Sequence, residues 1–274
     1  MNSIIESYIK DTYGFEIESA TPEDLQKVTE ILVSDSSMDY SLGDKHKDGE
    51  WNFSIFPNLK KIDCSYNPID LLDISKNHEL EYIRFQGARG NIPHKIDFSG
   101  NPHLKVVESG QDGVVELDFS TNTKLEDLSA FLNSSLRWVN IDNCPNLKRI
   151  DMQGANIPFV DLTHCKNLER VTISYWNLYR GRADIFGPGY PRPIIFVHED
   201  FNEEIIDQES RTYKYYAYYL VRVKENSAEE KFLRMAKSMK STMLSIPPDN
   251  YGVGVARMHY KLLDMYDLIK KNNP

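Results

Sequence analysis

The sequence predicts an α/β solenoid: stacked coils with a parallel sheet along one side, a helical cap at the N-terminus and an α+β module after the last coil. Three observations lead there. Segments of 13 residues recur in register, a leucine closes each unit at nearly fixed spacing, and apolar residues inside each unit alternate at period two. The segments are LLDISKNHELEYI (71–83), KIDFSGNPHLKVV (95–107), ELDFSTNTKLEDL (116–128), WVNIDNCPNLKRI (138–150) and FVDLTHCKNLERV (159–171), with a weaker copy, EWNFSIFPNLKKI, at 50–62. The closing leucines are Leu59, Leu80, Leu104, Leu125, Leu147 and Leu168, spaced 21, 24, 21, 22 and 21 residues apart.

Each unit has two apolar stretches. The first, Leu-x-x-φ-x-φ, as in Leu59, Ile62 and Cys64 or Leu147, Ile150 and Met152, turns alternate side chains inward from a short strand and leaves those between them facing solvent. The second, φ-Asp-φ-Ser, as in Leu72 to Ser75, leads to a small polar slot held by Asn77, Asn101, Asn122, Cys144 and Cys165. A buried side chain there is expected to bond backbone groups that the turn leaves over, since a buried orphan costs roughly 1–3 kcal/mol. Cysteine suits the slot as a small, weakly polar residue.

The segment LKKIDCSYNPI (59–69) follows the pattern L-x-x-L-x-L-x-x-N-x-L with apolar residues at each Leu place, and LKRIDMQGANI (147–157) departs only in Ala155 at the Asn place. The chain between about 51 and 175 thus resembles the leucine-rich repeat family, most of all its short-unit bacterial members. The resemblance implies a right-handed solenoid with a parallel sheet on one curved face. It weakens around 87–93, where a three-residue extension falls, and through Ser129 to Ser135, so irregular loops are expected at both places.

Six strands about 4.8 Å apart give a face roughly 29 Å long. Its solvent side is expected to carry two columns: Lys61, Tyr82, Val106, Asp127, Arg149 and Arg170, and beside them Asp63, Arg84, Glu108, Ser129, Asp151 and Thr172. Of these, Lys61, Tyr82, Arg84, Glu108, Asp127, Arg149, Asp151 and Arg170 are the candidate partner-binding residues. Tyr82, Arg84, Arg149 and Arg170 are the expected anchor, because Tyr and Arg are enriched among interface hot spots. The column Asp73, Asp97, Asp118, Asn140 and Asp161 carries ligand-type oxygens, but the Gly-rich nonapeptide of calcium-binding solenoids is absent. Asp before a turn ordinarily bonds its own backbone, so neither a metal nor a cofactor is expected.

Three regions divide the chain: a helical cap at 1–50, the solenoid at 51–186 and the α+β module at 187–274. In the cap, Ile4, Ile5, Tyr8 and Ile9 share a helical face, and Thr21-Pro22 opens a helix expected to run through Leu25, Val28, Ile31 and Leu32. Lys45 to Glu50 reads as an exposed loop. Gly187 to Pro193 reads as a break. Residues 194–197 and 211–224 read as strands, Ser227 to Glu230 as a capping box opening a helix through Met243, and Met258 to Ile269 as a last helix.

Charge narrows the functions. The chain carries −9 overall; residues 1–173 hold 17 basic and 28 acidic residues, net −11, and residues 174–274 hold 15 and 13, net +2. Such acidity repels phosphate backbones and anionic membranes, and +2 is no basic footprint even with Arg211, Lys214, Arg222 and Lys224 among tyrosines. No apolar run approaches the roughly 18 residues of a spanning helix, and the start MNSIIESYIKD has no basic flank before an apolar stretch. Three cysteines without a CxxC pair suit a reducing, cytoplasmic setting. His198-Glu199-Asp200 lies past an expected strand with no nucleophile or oxyanion loop beside it, and YGVGV (251–255) matches no nucleotide motif. The expectation is a non-enzymatic protein-recognition module that binds another protein on its strand face. The resemblance adds a bacterial or phage effector, inhibitor or immunity-type role. The alternative is an enzyme whose C-terminal module does chemistry while the repeats recruit substrate. Oligomeric state is left open.

Overall fold

The structure, a computed structural model, describes residues 2–34, 50–87, 94–110, 113–155, 157–173, 193–206, 218–245 and 253–272. Its strands in chain order are β1 (Glu30–Leu32), β2 (Glu50–Asn52), β3 (Lys61–Asp63), β4 (Leu71–Asp73), β5 (Tyr82–Arg84), β6 (Val106–Gly110), β7 (Glu116–Asp118), β8 (Asp127–Phe131), β9 (Trp138–Asn140), β10 (Arg149–Asp151), β11 (Phe159–Asp161), β12 (Arg170–Thr172), β13 (Ile194–His198) and β14 (Tyr219–Val223). The helices are α1 (Ser3–Tyr13), α2 (Pro22–Lys27), α3 (Ala228–Ser238), α4 (Lys240–Leu244) and α5 (Val253–Asn272).

The chain is a parallel solenoid of about six turns with helices at both ends. The Leu-x-x-φ-x-φ stretches form a continuous seven-stranded front sheet, β1-β3-β5-β6-β8-β10-β12. The φ-Asp-φ-Ser stretches also form strands, giving a second, back row: β2-β4, then Lys95 bridged to Glu116, then β7-β9, then β11-β13-β14. Between the rows lies one core, in which Leu59, Ile62, Leu80, Ile83, Leu104, Val107, Leu125, Phe98 and Phe119 are fully or almost fully buried. A solvent-facing residue on either strand therefore alternates with a core residue, as the period of two requires.

The seventh front strand corrects the cap. The helix opened by Thr21 has the expected N-cap and Pro at its first position, but it stops at Lys27, and Glu30–Leu32 pairs in parallel with Lys61–Asp63. The reason lies in the residues: Val28-x-x-Ile31-x-Val33 has the spacing of Leu59-x-x-Ile62-x-Cys64, and β-branched residues at those places favour an extended chain. Val28 and Ile31 are fully buried, and Ile5 and Ile9 of α1 close the core above them.

A second difference lies at 129–135. Instead of an irregular loop from Ser129, β8 runs on to Phe131 and pairs with β6 through Ser109–Ala130 and Gly110–Phe131. Gly110, without a Cβ, lets the Phe131 backbone approach where any side chain would collide. The corners after the front strands take left-handed backbone at Tyr66 (φ 63), Gly87 (φ 67), Leu132 (φ 58) and Gly154 (φ 78).

The slot residues behave as their chemistry demands. Asn77 donates to the Phe53 and Phe56 carbonyls, both at 2.9 Å; Asn101 to Ile74 and Asn77, at 3.0 and 2.9 Å; Asn122 to Phe98 and Asn101, at 3.1 and 2.9 Å. Cys144 takes over with Sγ 3.6 Å from the Phe119 oxygen and 3.8 Å from that of Asn122, and Cys165 lies 3.9 Å from Ile141 oxygen. Both thiols are free and buried, as is Cys64. Burial, then nearby carboxylates, pushes the Cys144 thiol up to about 12.

The winding continues beyond the expected repeats. Phe159, Val160 and Asp161 pair with Ile194, Ile195 and Phe196, and Val171 bridges Ile206, so residues 194–206 trace one more coil in the register of 159–171. β14 then adds to β13 over five residues. The break expected at Gly187 to Pro193 lies mostly outside the described residues, as do 45–49, 88–93, 207–217 and the first two residues of YGVGV, whose last three open α5. Ser227 caps α3 by accepting from the Glu230 N–H at 3.1 Å, while the Glu230 carboxylate accepts from the Asn226 N–H at 2.6 Å instead of the cap's own. The helix breaks at Met239 and resumes as α4.

The C-terminal helices pack on the outside of the back row. Trp138 and Phe159 point outward there and join Phe196, Phe232, Leu233, Met243 and Leu262 in a second core. Its rings pack edge-on, Trp138 to Phe159 at 5.5 Å and Phe159 to Phe196 at 5.7 Å between centroids.

Candidate functional site: the front sheet

The register sets the exposed columns. Lys61, Tyr82, Val106, Asp127, Arg149 and Arg170 are successive partners, as are Asp63, Arg84, Glu108, Ser129, Asp151 and Thr172. All eight candidate residues stand on this one face. Glu30 and Leu32 of β1 head the columns, and sequence reasoning missed them with their strand.

Contacts run along the columns. Arg84 lies between Asp63, at 3.7 Å, and Glu108, at 3.2 Å. The Tyr82 hydroxyl donates to Glu108 at 3.1 Å, and Lys61 Nζ sits 5.2 Å from the Tyr82 ring centre. Burial, aided by the Glu108 charge, raises the Tyr82 phenol well above its usual range, so it remains a donor. Arg149 pairs with Asp127. Tyr82, Arg84 and Arg149 are thus already engaged with neighbouring coils.

A third column stands just before the strands: Lys60, Glu81, Lys105, Glu126, Lys148 and Glu169, in which Lys60 donates its backbone N–H to the Thr29 carbonyl and each of the others to the carbonyl of the one before. Their signs alternate. Lys105 meets Glu81, and Lys148 meets Glu126, both at 2.6 Å, and these lysines hold the two carboxyls below their usual range. The alternation was readable as Lys or Glu after each closing leucine.

Between β6 and β12 the face sinks into a hollow of about 340 Å³. Short side chains, Val106 and Ser129, leave the space, and Glu108, Asp127, Asp151, Arg149, Arg170 and Thr172 surround it. Apolar methyls, hydroxyls and both signs of charge are therefore presented together, which suits contact with a polar protein surface and not a polyanion.

The back column performs the turn chemistry expected of it. Asp73, Asp97, Asp118 and Asp161 each accept the N–H two residues on, at 2.9–3.1 Å. Some also dock the C-terminal helices: Lys237 reaches Asp142 and Asp161 at 2.7 and 2.6 Å, and Lys240 reaches Glu116 at 2.6 Å while lying 5.5 Å from the Trp138 ring centre. His198-Glu199-Asp200 holds its own turn, with His198 edge-on to Phe201 at 5.9 Å and Arg222 donating to the Glu199 carbonyl at 2.9 Å.

The fold and this face define a leucine-rich-repeat-like parallel solenoid with an exposed strand surface. Among solved structures, internalin C2 from Listeria monocytogenes is similar at 12% identity, with a TM-score of 0.47 over 73% of this chain and 77% of that one. The functional domain of InlJ from Listeria monocytogenes, described as including a cysteine ladder, gives 18% identity and a TM-score of 0.29 over 55% and 42%. The LRIM1/APL1C complex gives 13% and 0.38 over 81% and 48%. This chain spans less than half of the length of the latter two. No protein-family model matches the chain, and no curated protein matches it. No helix among the described residues is long and apolar enough to cross a membrane.

Proposed function

We propose that the chain is a protein-recognition module that binds a partner protein on its front sheet, through Lys61, Tyr82, Arg84, Glu108, Asp127, Arg149, Asp151 and Arg170. One observation carries the reading. Of the two long faces, the back is covered over its C-terminal coils by helices with their own core, whereas among the described residues no element packs on the front. A face seven strands wide, with aromatic, aliphatic and paired charged side chains around a hollow, has the composition of a protein interface. Charge supports it: the front columns nearly cancel within a chain of net −9. The free thiols Cys64, Cys144 and Cys165 favour a cytoplasmic setting, and the short repeat units favour a bacterial or phage effector, inhibitor or immunity-type role.

The test is a pull-down of the tagged full chain from lysate with mass spectrometry, beside a variant carrying Tyr82→Ala, Arg149→Glu and Arg170→Glu whose melting temperature matches the parent. Arg84 is left intact because it bridges Asp63 and Glu108, which would repel each other without it. A partner recovered by the parent and lost by the variant is the expected result; equal recovery by both removes the front sheet from the function.

A further inference from the structure

The two halves of the back row differ in what lies on them. By the register of the repeats, one outward column runs from Glu50 and Leu71 through Glu116 to Trp138 and Phe159, and the other from Asp73 and Asp97 through Asp118 to Asp161. Over the C-terminal coils the helices cover both, leaving Trp138 8% and Phe159 6% exposed. Over the N-terminal coils Leu71, in the same column as these aromatics, is 46% exposed, and Glu50 and Asp97 are exposed with it. The helix lysines show what the second column accepts. Lys237 sits between Asp161 of one coil and Asp142 of the coil before, at 2.6 and 2.7 Å, and Lys240 between Glu116 and Asp118, at 2.6 and 3.8 Å. Two coils earlier the counterparts of Asp161 and Asp142 are Asp118 and Ser99, and both line a recess of about 150 Å³ together with Asp97, Ser120 and Thr121. Lys95 also lines it, paired with Glu116 at 3.2 Å. Among the described residues no basic side chain pairs with Asp97, or with Asp73 one coil further.

We propose that the N-terminal half of the back row is a second docking surface, which takes one helix of a partner protein with lysine or arginine side chains reaching the recess and Asp73 and an apolar side chain on Leu71. The repeat itself supplies the argument, since the same positions two coils on are met by helix lysines and apolar side chains of this chain. The dimensions agree. A helix rises about 1.5 Å per residue, so side chains three or four apart step about 4.5–6 Å along it, close to the roughly 4.8 Å between coils. A helix lying along the row therefore offers one side chain to each coil, as Lys237 and Lys240 do on either side of Met239. Charge agrees as well: residues 1–173 carry a net −11, which draws a basic surface and repels an acidic one. A metal ion suits the column less well, because Asp73, Asp97 and Asp118 each spend an oxygen on the N–H two residues on, and among the described residues no three acidic, histidine or cysteine side chains converge to hold one. The surface lies on the opposite side from the front sheet, so a second protein can be held while the front is occupied.

The test is fluorescence anisotropy of a labelled alanine-based helical peptide, with lysines three and four residues apart and leucines beside them, titrated with the full chain at fixed ionic strength. Two control peptides carry glutamate in place of lysine, or the same lysines scattered around the helix. The expected result is saturable binding of the first peptide, absent with the glutamate peptide, weaker by about fivefold in Asp73→Asn/Asp97→Asn and weaker in Leu71→Asn. The triple front-sheet variant should bind it as the parent does. Asparagine keeps the turn, since Asn52 and Asn140 already accept the N–H two residues on at 2.9 and 3.3 Å in the same column. A Glu18→Gln/Glu23→Gln variant removes the same charge from the N-terminal cap. Equal weakening in that variant, equal affinity for the scattered peptide, or no saturable binding overturns the docking surface. A dimer of the chain alone in sedimentation, lost in Asp73→Asn/Asp97→Asn, makes a second copy the occupant and overturns the partner helix.

Discussion

The Tyr13 hydroxyl lies across the outer edge of β1 at Glu30, donating to the Glu30 carbonyl at 2.9 Å and accepting from its N–H at 3.2 Å. One phenol on α1 therefore does for the first front strand what a neighbouring strand does for all the others, and it denies that edge to a second chain. Tyr13→Phe keeps the ring contacts with Tyr8 and Phe15 and removes these bonds together with the one the hydroxyl accepts from the Thr29 N–H at 3.3 Å. We expect a loss of about 1 kcal/mol in urea denaturation and faster amide exchange confined to Thr29 and Glu30.

The polar slot should show graded costs. Asn101→Ala removes the side-chain donor from the Ile74 and Asn77 carbonyls, which keep only the backbone N–H groups of Asn77 and Leu80, and opens a small void, for about 1–3 kcal/mol. Asn101→Cys should cost roughly half as much, because Cys144 fills the same slot one coil beyond Asn122. Equal denaturation midpoints for the two variants would refute the reading of cysteine as a working substitute.

Gly87 has a φ of +67, and a Cβ on it would lie 2.5 Å from Cδ1 of Tyr66. Gly87→Ala combines a left-handed penalty with a displaced ring and should destabilise by about 2 kcal/mol. Adding Tyr66→Ala should recover the steric part, so the double variant falls well short of the sum of the two single losses.

Much of this was legible beforehand. The closing leucines set the strand register, and the columns follow from it residue by residue. What escaped notice was masked by a stronger local signal or by a broken period. Thr21-Pro22 announces a helix so clearly that Val28-x-x-Ile31-x-Val33 reads as its continuation. The coil at 194–206 was hidden because Phe159 pairs with Ile194, 35 residues on, where the period leads one to look 21 on. Mutual pairing of the anchors is invisible to residue-type arguments: Arg84 reads as a free hot spot until Asp63 and Glu108 are seen on either side. The docking of α3 and α4 left a faint trace in the sequence, Lys237 and Lys240 on either side of the break at Met239, with nothing to say which acids they meet.

Removing Lys237 tests that docking. Its ammonium neutralises Asp161, whose side chain is 4% exposed, and those carboxylates in turn raise the Lys237 pKa against the opposing effect of burial. Lys237→Met strands a buried carboxylate and should cost about 2–3 kcal/mol, whereas the same change made with Asp161→Asn should cost much less.

Acid should loosen the same region. His259 is almost fully buried, stacked on Tyr219 at 5.7 Å, and burial lowers its pKa from 6.5 to about 4 against the opposing pull of the Pro158 carbonyl. The unfolded chain thus binds the proton first. Stability is complete above about pH 6.5, falls as the pH drops toward 4 and levels off below it. In His259→Phe the melting temperature should vary less over that window; an unchanged slope would assign the effect to other groups.

The two rows of the solenoid differ in continuity. Among the described residues the front is one ladder of seven strands, whereas the back is three ladders and an isolated bridge at Lys95. Mechanically this is a hinged plate with a continuous leaf in front and joints behind. Bending is expected to leave the front ladder intact and to be absorbed between the back ladders, so that the curvature of the front, and with it the spacing of groups across Val106 and Ser129, yields first under load. A ligand gripping both sides of that hollow would fix it, and the melting of the coils on either side would become a single event.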